Sequence, residues 1–195
     1  MSLFSEASWV SLPRRSVVAG RDSAVLGEFL RPEVGLLLWD RPLPAPLRRG
    51  AREMLQAGAR LEAEGEPTAL LDSLLAQAPL PQAWLAELGG LALLLAGFAG
   101  RPQLRARLEA PCPEPAPAFR DSGPGLTLLC TYRGPATQWL APGPPEATGA
   151  EIRQAATGSV LLLRGAWKLR PPPSPALSAS PGSPPRLLLR LETLP

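Results

Sequence analysis

The side chains available for chemistry are restricted, because the 195-residue chain contains no histidine. Imidazole is the commonest general base and the commonest metal ligand among side chains. Nucleophile pairs of the Ser-His and Cys-His types are therefore excluded. The single lysine, Lys168, follows Trp167 with no nucleophile at a recognisable spacing. We interpret it as a solvated charge rather than as half of a Ser-Lys pair.

Cysteine, charge and hydropathy narrow the function classes further. Cys112 and Cys130 match neither a CxxC redox motif nor a four-ligand zinc site, and the mid-strand position of Cys130 favours burial. Since the N-terminus lacks the pattern of a secretory signal, we expect a cytoplasmic protein with reduced thiols. A net charge of +3 on scattered arginines argues against nucleic-acid binding. The apolar run 88–99 is shorter than the about 20 residues that span a bilayer, so we expect a buried helix and no membrane contact.

The first hundred residues carry one strand signal and three helix signals. Residues 34–39 are a continuous apolar run, typical of a buried strand. Apolar residues at steps of three and four over 47–61 predict an amphipathic helix. Two further helices are predicted over 69–78, with Thr68 as its cap, and over 82–95.

From residue 103 onward the pattern changes to short strands separated by proline and glycine. Trp139 and Trp167 each follow a strand and are expected to cap the sheet. The loops 142–149 and 171–185 hold too much proline for central strands. We predict an α+β fold, with a helical N-terminal half (34–100) followed by an antiparallel jelly-roll or double-stranded β-helix-like sheet (103–192), after an N-terminal extension (1–33). The predicted strands of this sheet include 104–109, 126–132, 160–163 and 186–192.

The most distinctive stretch of the sequence is LLCTYRGPATQWL at 128–140. It resembles the strand motif of the bacterial domain of unknown function 1826 family, and the similarity extends from about Val34 to Glu192. That family also carries a His-x-Asp segment, a later His and an Arg near the end. The resemblance implies a site like those of β-helix metal enzymes, in which two imidazoles and a carboxylate hold iron.

In this chain the implied ligand positions carry other residues. Arg120 stands at the first His, Ser122 at the Asp with Asp121 one residue early, and Ser178 at the second His. A guanidinium stays protonated and offers no lone pair, so Arg120 cannot coordinate a cation. Magnesium or calcium on Asp121 and Glu114 is an alternative, but no complete ligand set is recognisable. We therefore expect no metal and no cofactor.

The predicted function is a binding or structural role rather than catalysis. Two arginines near the mouth of a β-sandwich, Arg120 and Arg186, can hold a carboxylate or phosphate bidentately, so a small anionic ligand is the expected partner. One alternative is a metal- or 2-oxoacid-dependent oxygenase-like enzyme with an atypical site, and a second is a weak nucleic-acid or anion binder. The sequence identifies no partner protein. The predicted ligand-binding residues are Arg120, Asp121, Ser122, Ser178 and Arg186.

Overall fold

The computed structural model describes residues 16–110, 118–141, 151–172 and 186–194. These residues form a 3-10 helix at Ser23–Leu30 and three α-helices, α1 at Ala45–Gln56, α2 at Pro67–Gln77 and α3 at Gln82–Ala99. The first strands are β1 Ser16–Gly20, β2 Val34–Trp39, β3 Arg60–Gly65 and β4 Leu104–Glu109. The later strands are β5 Arg120–Asp121, β6 Leu126–Arg133, β7 Gln138–Ala141, β8 Glu151–Gln154, β9 Val160–Arg164, β10 Lys168–Arg170 and β11 Leu187–Thr193.

The strands form two sheets. The large sheet has the order β1-β2-β9-β6-β11-β4-β3, and the small sheet has the order β5-β10-β7-β8. All pairs are antiparallel except β1 with β2, which is parallel. From β4 onward the chain passes repeatedly between the sheets, with β7 and β8 adjacent in the small one. This arrangement agrees with the jelly-roll architecture predicted for the C-terminal half.

Each face of the large sheet covers a separate core. Along β6, Leu128, Cys130 and Tyr132 point into the core beneath the helices, whereas Leu129 points into the core between the sheets. This alternation is expected, because successive side chains of a strand point to opposite faces. β6 lies between β9 and β11, which agrees with the central strand predicted at 126–132.

The predicted helix over 47–61 is wrong at its C-terminal end. α1 ends at Gln56, and Gly58 has a φ of +63°, a left-handed conformation that suits glycine after a helix. Beyond this turn, Leu61 and Ala63 are buried in β3 while their neighbours are exposed or half-buried. Leu61, which the prediction assigned to the helix, therefore belongs to a strand in which buried and exposed residues alternate.

The helical character expected for the whole N-terminal half is not confirmed. β1, β2 and β3 all belong to the large sheet, β1 and β2 at one edge and β3 at the other. The short apolar run of β2 was recognisable, whereas the short alternation in β3 was interpreted as the end of a helix and β1 fell within the predicted N-terminal extension. The bounds of the domain, 34–192, stay a prediction.

The ends of the other helices also differ from expectation. α2 begins at Pro67 after the N-cap residue Glu66, so Thr68 lies inside the first turn instead of capping it. α3 continues to Ala99 and ends at the left-handed Gly100. By length and hydropathy α3 resembles a membrane-spanning helix. One face of α3 nevertheless packs into the core beside β6 and β11, as expected for a buried helix.

Candidate functional site

Four arginines meet in a cleft at the mouth of the space between the two sheets. The cleft has a volume of about 140 Å³. Arg120 lies on β5, Arg170 ends β10, Arg186 directly precedes β11 and Arg190 lies within it. Asp121, Leu129, Thr137, Leu169, Pro171 and Leu188 complete the described lining.

The alternation of β11 explains why two of these arginines share a face. Leu187, Leu189 and Leu191 point into the core beneath the helices. The residues between them face the small sheet instead, as side chains of a strand must. Arg186 and Arg190 therefore reach the same cleft, with Leu188 between them.

Arg186 is the most unusual of the four side chains. It is only 8% exposed, and Nη2 donates one hydrogen bond to Thr137 Oγ1 at 3.2 Å. Its Nε and Nη1 atoms are buried and have no hydrogen-bond partner among the described residues. Burial lowers the pKa of Arg186 to about 10, with only partial compensation from Glu109. At neutral pH the cleft thus holds a buried positive charge with two donor atoms that have no partner in the described ranges, which is rare in proteins.

Neighbouring contacts hold two further arginines in place. Arg190 Nη2 donates to the carbonyl oxygen of Ser122 at 2.9 Å and to Glu192 Oε1 at 2.6 Å, while its Nε is buried without a described partner. Arg170 Nε donates to Gln138 Oε1 at 2.8 Å. The Arg170 guanidinium also stacks 4.4 Å from the centre of the Phe119 ring. These contacts fix the positions of Arg170 and Arg190 beside Arg186, and Glu192 compensates part of the charge of Arg190 through an ion pair.

The two residues of β5 lie at the exposed edge of the cleft. Arg120 and Asp121 are both exposed. The Asp121 carboxylate accepts a hydrogen bond from Lys168 Nζ at 3.1 Å, and both side chains remain more than half exposed. Lys168 is therefore paired as well as solvated, and Asp121 offsets only part of the positive charge.

The structure brings three of the five predicted site residues together. Arg120, Asp121 and Arg186 line the cleft, whereas Ser122 does not. The Ser122 hydroxyl is buried, donates to the carbonyl oxygen of Gly165 at 2.9 Å and accepts from the backbone N–H of Trp167 at 3.0 Å. These bonds tie the end of β5 to the turn before β10. Ser178 lies outside the described residues, as does Cys112.

Sequence reasoning missed Arg170, Arg190 and Thr137 as members of the site. The signal for Arg190 was present, since positions 186, 188 and 190 share one face of a strand. Arg170 and Thr137 gave no comparable signal, because their approach to Arg186 depends on how the two sheets pack.

The expectation that two tryptophans cap the sheet is wrong. Trp139 and Trp167 are 2% and 6% exposed and fill the core between the sheets together with Leu129 and Leu163. Large aromatic side chains bury the most apolar surface, which favours this interior position. They leave the small cleft at the mouth as the open part of the inter-sheet space. Its size suits a carboxylate or another small oxyanion.

The residues around the cleft do not fit a transition-metal site. In the described ranges no three residues of the His, Cys, Asp and Glu types lie close enough to hold a metal ion. The cleft itself offers one carboxylate, Asp121, which is paired with Lys168. Arginines supply the remaining charge and would repel a cation.

The sequence matches one protein family, and the fold is similar to that of solved structures. The model of a family described as "Protein of unknown function (DUF1826)" matches residues 20–192. No curated protein sequence matches the chain.

Two solved structures share the architecture of the chain. The dioxygenase for auxin oxidation 1 from Arabidopsis thaliana, a 2-oxoglutarate binary complex, aligns with a TM-score of 0.56 at 8% identity over 91% of this chain and 91% of that chain. The rice dioxygenase for auxin oxidation aligns with a TM-score of 0.54 at 13% identity over 91% of this chain and 82% of that chain. At these identities the likeness shows a shared fold and nothing about activity.

Proposed function

The chain belongs to the DUF1826 family, and we propose that it is a non-catalytic binding protein that holds a small anionic ligand in the cleft between its two sheets. The ligand class is a carboxylate or a comparable oxyanion. Its primary contact is Arg186, and Arg120, Arg170 and Arg190 supply the surrounding positive charge.

The observation that carries this proposal is the unsatisfied guanidinium of Arg186. A buried charge whose hydrogen-bond donors are only partly satisfied costs on the order of several kcal/mol. An anion in the cleft would accept a charge-assisted hydrogen bond from Nε or from Nη1, the two atoms of this guanidinium that have no partner among the described residues. The negative charge of the bound anion would also compensate the buried positive charge of Arg186.

The alternative of an oxygenase-like enzyme is supported by the shared fold alone. The Arabidopsis neighbour is a dioxygenase in complex with 2-oxoglutarate, which is a dicarboxylate and thus a suitable probe for the cleft. An iron site needs imidazole or several free carboxylates, and this chain has no histidine. We therefore propose anion binding without the metal.

Calorimetric titration without added metal tests the proposal. The probes are 2-oxoglutarate, succinate, acetate and phosphate, and at least one of them is expected to bind with one-to-one stoichiometry. Arg186→Gln is expected to abolish this binding, because it removes the positive charge and the buried Nε and Nη1 donors. Arg153→Gln is the matched control, since Arg153 is an exposed arginine paired with Glu151 on β8. Failure of all four anions, or equal binding by the Arg186→Gln variant, would overturn the proposal.

A measurement of metal retention distinguishes the proposed binding protein from the alternative, an oxygenase-like metalloenzyme. The purified protein is incubated with ferrous iron or zinc, desalted, and analysed for bound metal. We expect less than one ion per ten chains, because the cleft lacks a ligand set. Stoichiometric retention that persists after desalting would instead support the enzyme.

A further inference from the structure

A second pocket lies between α1 and the turn after β6. It shares no lining residue with the cleft. Its volume is about 580 Å³, within the range of small-molecule sites. Arg48, Arg49 and Arg52 line it from α1, and Arg133 lines it from the end of β6. We call these four residues and the space between them the arginine pocket.

Helix geometry places three of these positive charges side by side. Residues three and four apart on a helix are neighbours, so Arg52 lies beside both Arg48 and Arg49. Like charges at this spacing destabilise a helix slightly. No acidic residue is among the described residues that line the pocket, so its described lining does not offset this repulsion.

The arginines of the pocket differ from those of β4 in how they are paired. On β4, Arg105 pairs with Glu64 and Arg107 pairs with Glu62. Within the described ranges, the guanidinium groups of Arg48, Arg49, Arg52 and Arg133 form no ion pair or hydrogen bond. Four exposed guanidinium groups thus line one concave space.

The carboxylate of Glu87, which lies next to the lining residue Tyr132, already has hydrogen-bond partners. Tyr132 lines the pocket, and its hydroxyl donates to Glu87 Oε1 at 2.8 Å. Glu87 also holds Arg41 through both of its carboxylate oxygens. The acidic residue of α1, Glu53, does not line the pocket. Glu53 lies four residues after Arg49, but neither residue forms an ion pair with a described residue, so the described lining of the pocket contains no acid that neutralises the four arginines.

We propose that the arginine pocket binds a small molecule that carries two or more adjacent phosphate groups. Each guanidinium offers a planar pair of donors that matches phosphate oxygens, and several such forks around one concave space suit a ligand with several negative charges. A single-stranded nucleic acid also needs aromatic rings on which its bases stack. Tyr132 cannot serve in this way, since it is 2% exposed and its ring packs 4.6 Å from that of Trp84.

Calorimetric titration with inorganic triphosphate tests the site directly. We expect saturable one-to-one binding that is at least about tenfold tighter than that of orthophosphate. The double variant Arg48→Gln/Arg52→Gln is expected to weaken triphosphate binding by about tenfold or more, because it removes two charge-assisted contacts. All four substituted side chains of this variant and its control are exposed, so both proteins are expected to fold.

The control double variant is Arg60→Gln/Arg101→Gln, which removes the same net charge from positions outside the arginine pocket. It is expected to bind triphosphate like the unmodified protein, because the arginine pocket is intact. Equal weakening by both double variants would show attraction by net charge alone and would overturn the proposal. A single-stranded oligonucleotide that binds more tightly than triphosphate, with a steep loss of affinity in salt, would overturn it in favour of a nucleic-acid surface.

Discussion

Two buried guanidinium groups on opposite faces of the large sheet have contrasting surroundings. Beneath the helices, Arg41 binds both carboxylate oxygens of Glu87, which also accepts from Tyr132. Between the sheets, Arg186 has one described hydrogen bond, to Thr137. Burial opposes the charge of Arg41, yet the hydrogen bond to Glu87 raises the pKa of Arg41 above its usual value. For Arg186 burial prevails, and its pKa falls to about 10.

The contrast separates a buried arginine that has an acidic partner from one that has none among the described residues. In the core beneath the helices Glu87 compensates the charge of Arg41, although Arg41 Nε and Trp84 Nε1 have no described partner, so this polar network serves packing and specificity. The cleft keeps an unsatisfied charge at the cost of stability, which is typical of positions retained for binding. Variants of each region should therefore shift stability in different directions.

The largest effect is expected where the paired core is broken. Glu87→Gln removes the charge that compensates Arg41 and should lower the free energy of unfolding by about 3–5 kcal/mol. Urea unfolding followed by circular dichroism measures this loss. The matched control is Glu62→Gln, which breaks a pair with Arg107 that is more than one-third exposed. That control should lose less than about 1 kcal/mol. Equal losses in the two variants would contradict the view that Arg41 depends on Glu87.

Alkaline pH offers a second way to probe the same core. Burial raises the pKa of the Cys130 thiol from 9.0 to about 12. Between these values the unfolded chain releases a proton that the folded protein retains, so the free energy of unfolding falls as pH rises. The loss approaches about 1.4 kcal/mol per pH unit. Urea unfolding at pH 8 and pH 10 measures it.

The control for this pH dependence is Cys130→Ala, which should remove most of the slope between pH 8 and pH 10. Arg186 acts with the opposite sign, because its lowered pKa lets the folded state lose a proton first as pH rises from about 10 toward 12.5. An unchanged slope in Cys130→Ala would show that the thiol is not the titrating group.

Removing the charge of the cleft should have a smaller effect of opposite direction. Arg186→Leu deletes two unsatisfied donors and a desolvated charge, so stability should stay equal or rise by about 1 kcal/mol. Arg190→Leu is the control, since Arg190 makes bonds to Ser122 and Glu192, and it should lose about 1 kcal/mol. Urea unfolding compares the two variants. A loss of several kcal/mol in Arg186→Leu would mean that folding itself needs this guanidinium.

The same contrast shows how far sequence patterns reach. The central strand β6 and the alternating leucines of β11 were predictable, because period two and apolar runs are local signals. The convergence of Arg170 and Thr137 on Arg186 was not, since it depends on the packing of two sheets. The turn at Gly58 was also missed, because the apolar spacing continued by coincidence into β3. Local periodicity thus predicts helices and strands, whereas the site is formed by contacts between segments that are distant in the sequence.

The smallest effect is expected at the exposed edge of the cleft. Asp121 and Lys168 form a pair with side chains 55% and 54% exposed, so Asp121→Asn should change the free energy of unfolding by less than about 0.5 kcal/mol. The same variant removes a negative charge beside Arg186 and should tighten anion binding in the cleft by up to about threefold. Calorimetric titration with the anion that binds best measures this change, and Glu151→Asn, on β8 away from the cleft, is the charge control. Loss of anion binding in Asp121→Asn would contradict the view that this carboxylate only weakens the positive potential of the cleft, and would indicate that its pair with Lys168 shapes the site.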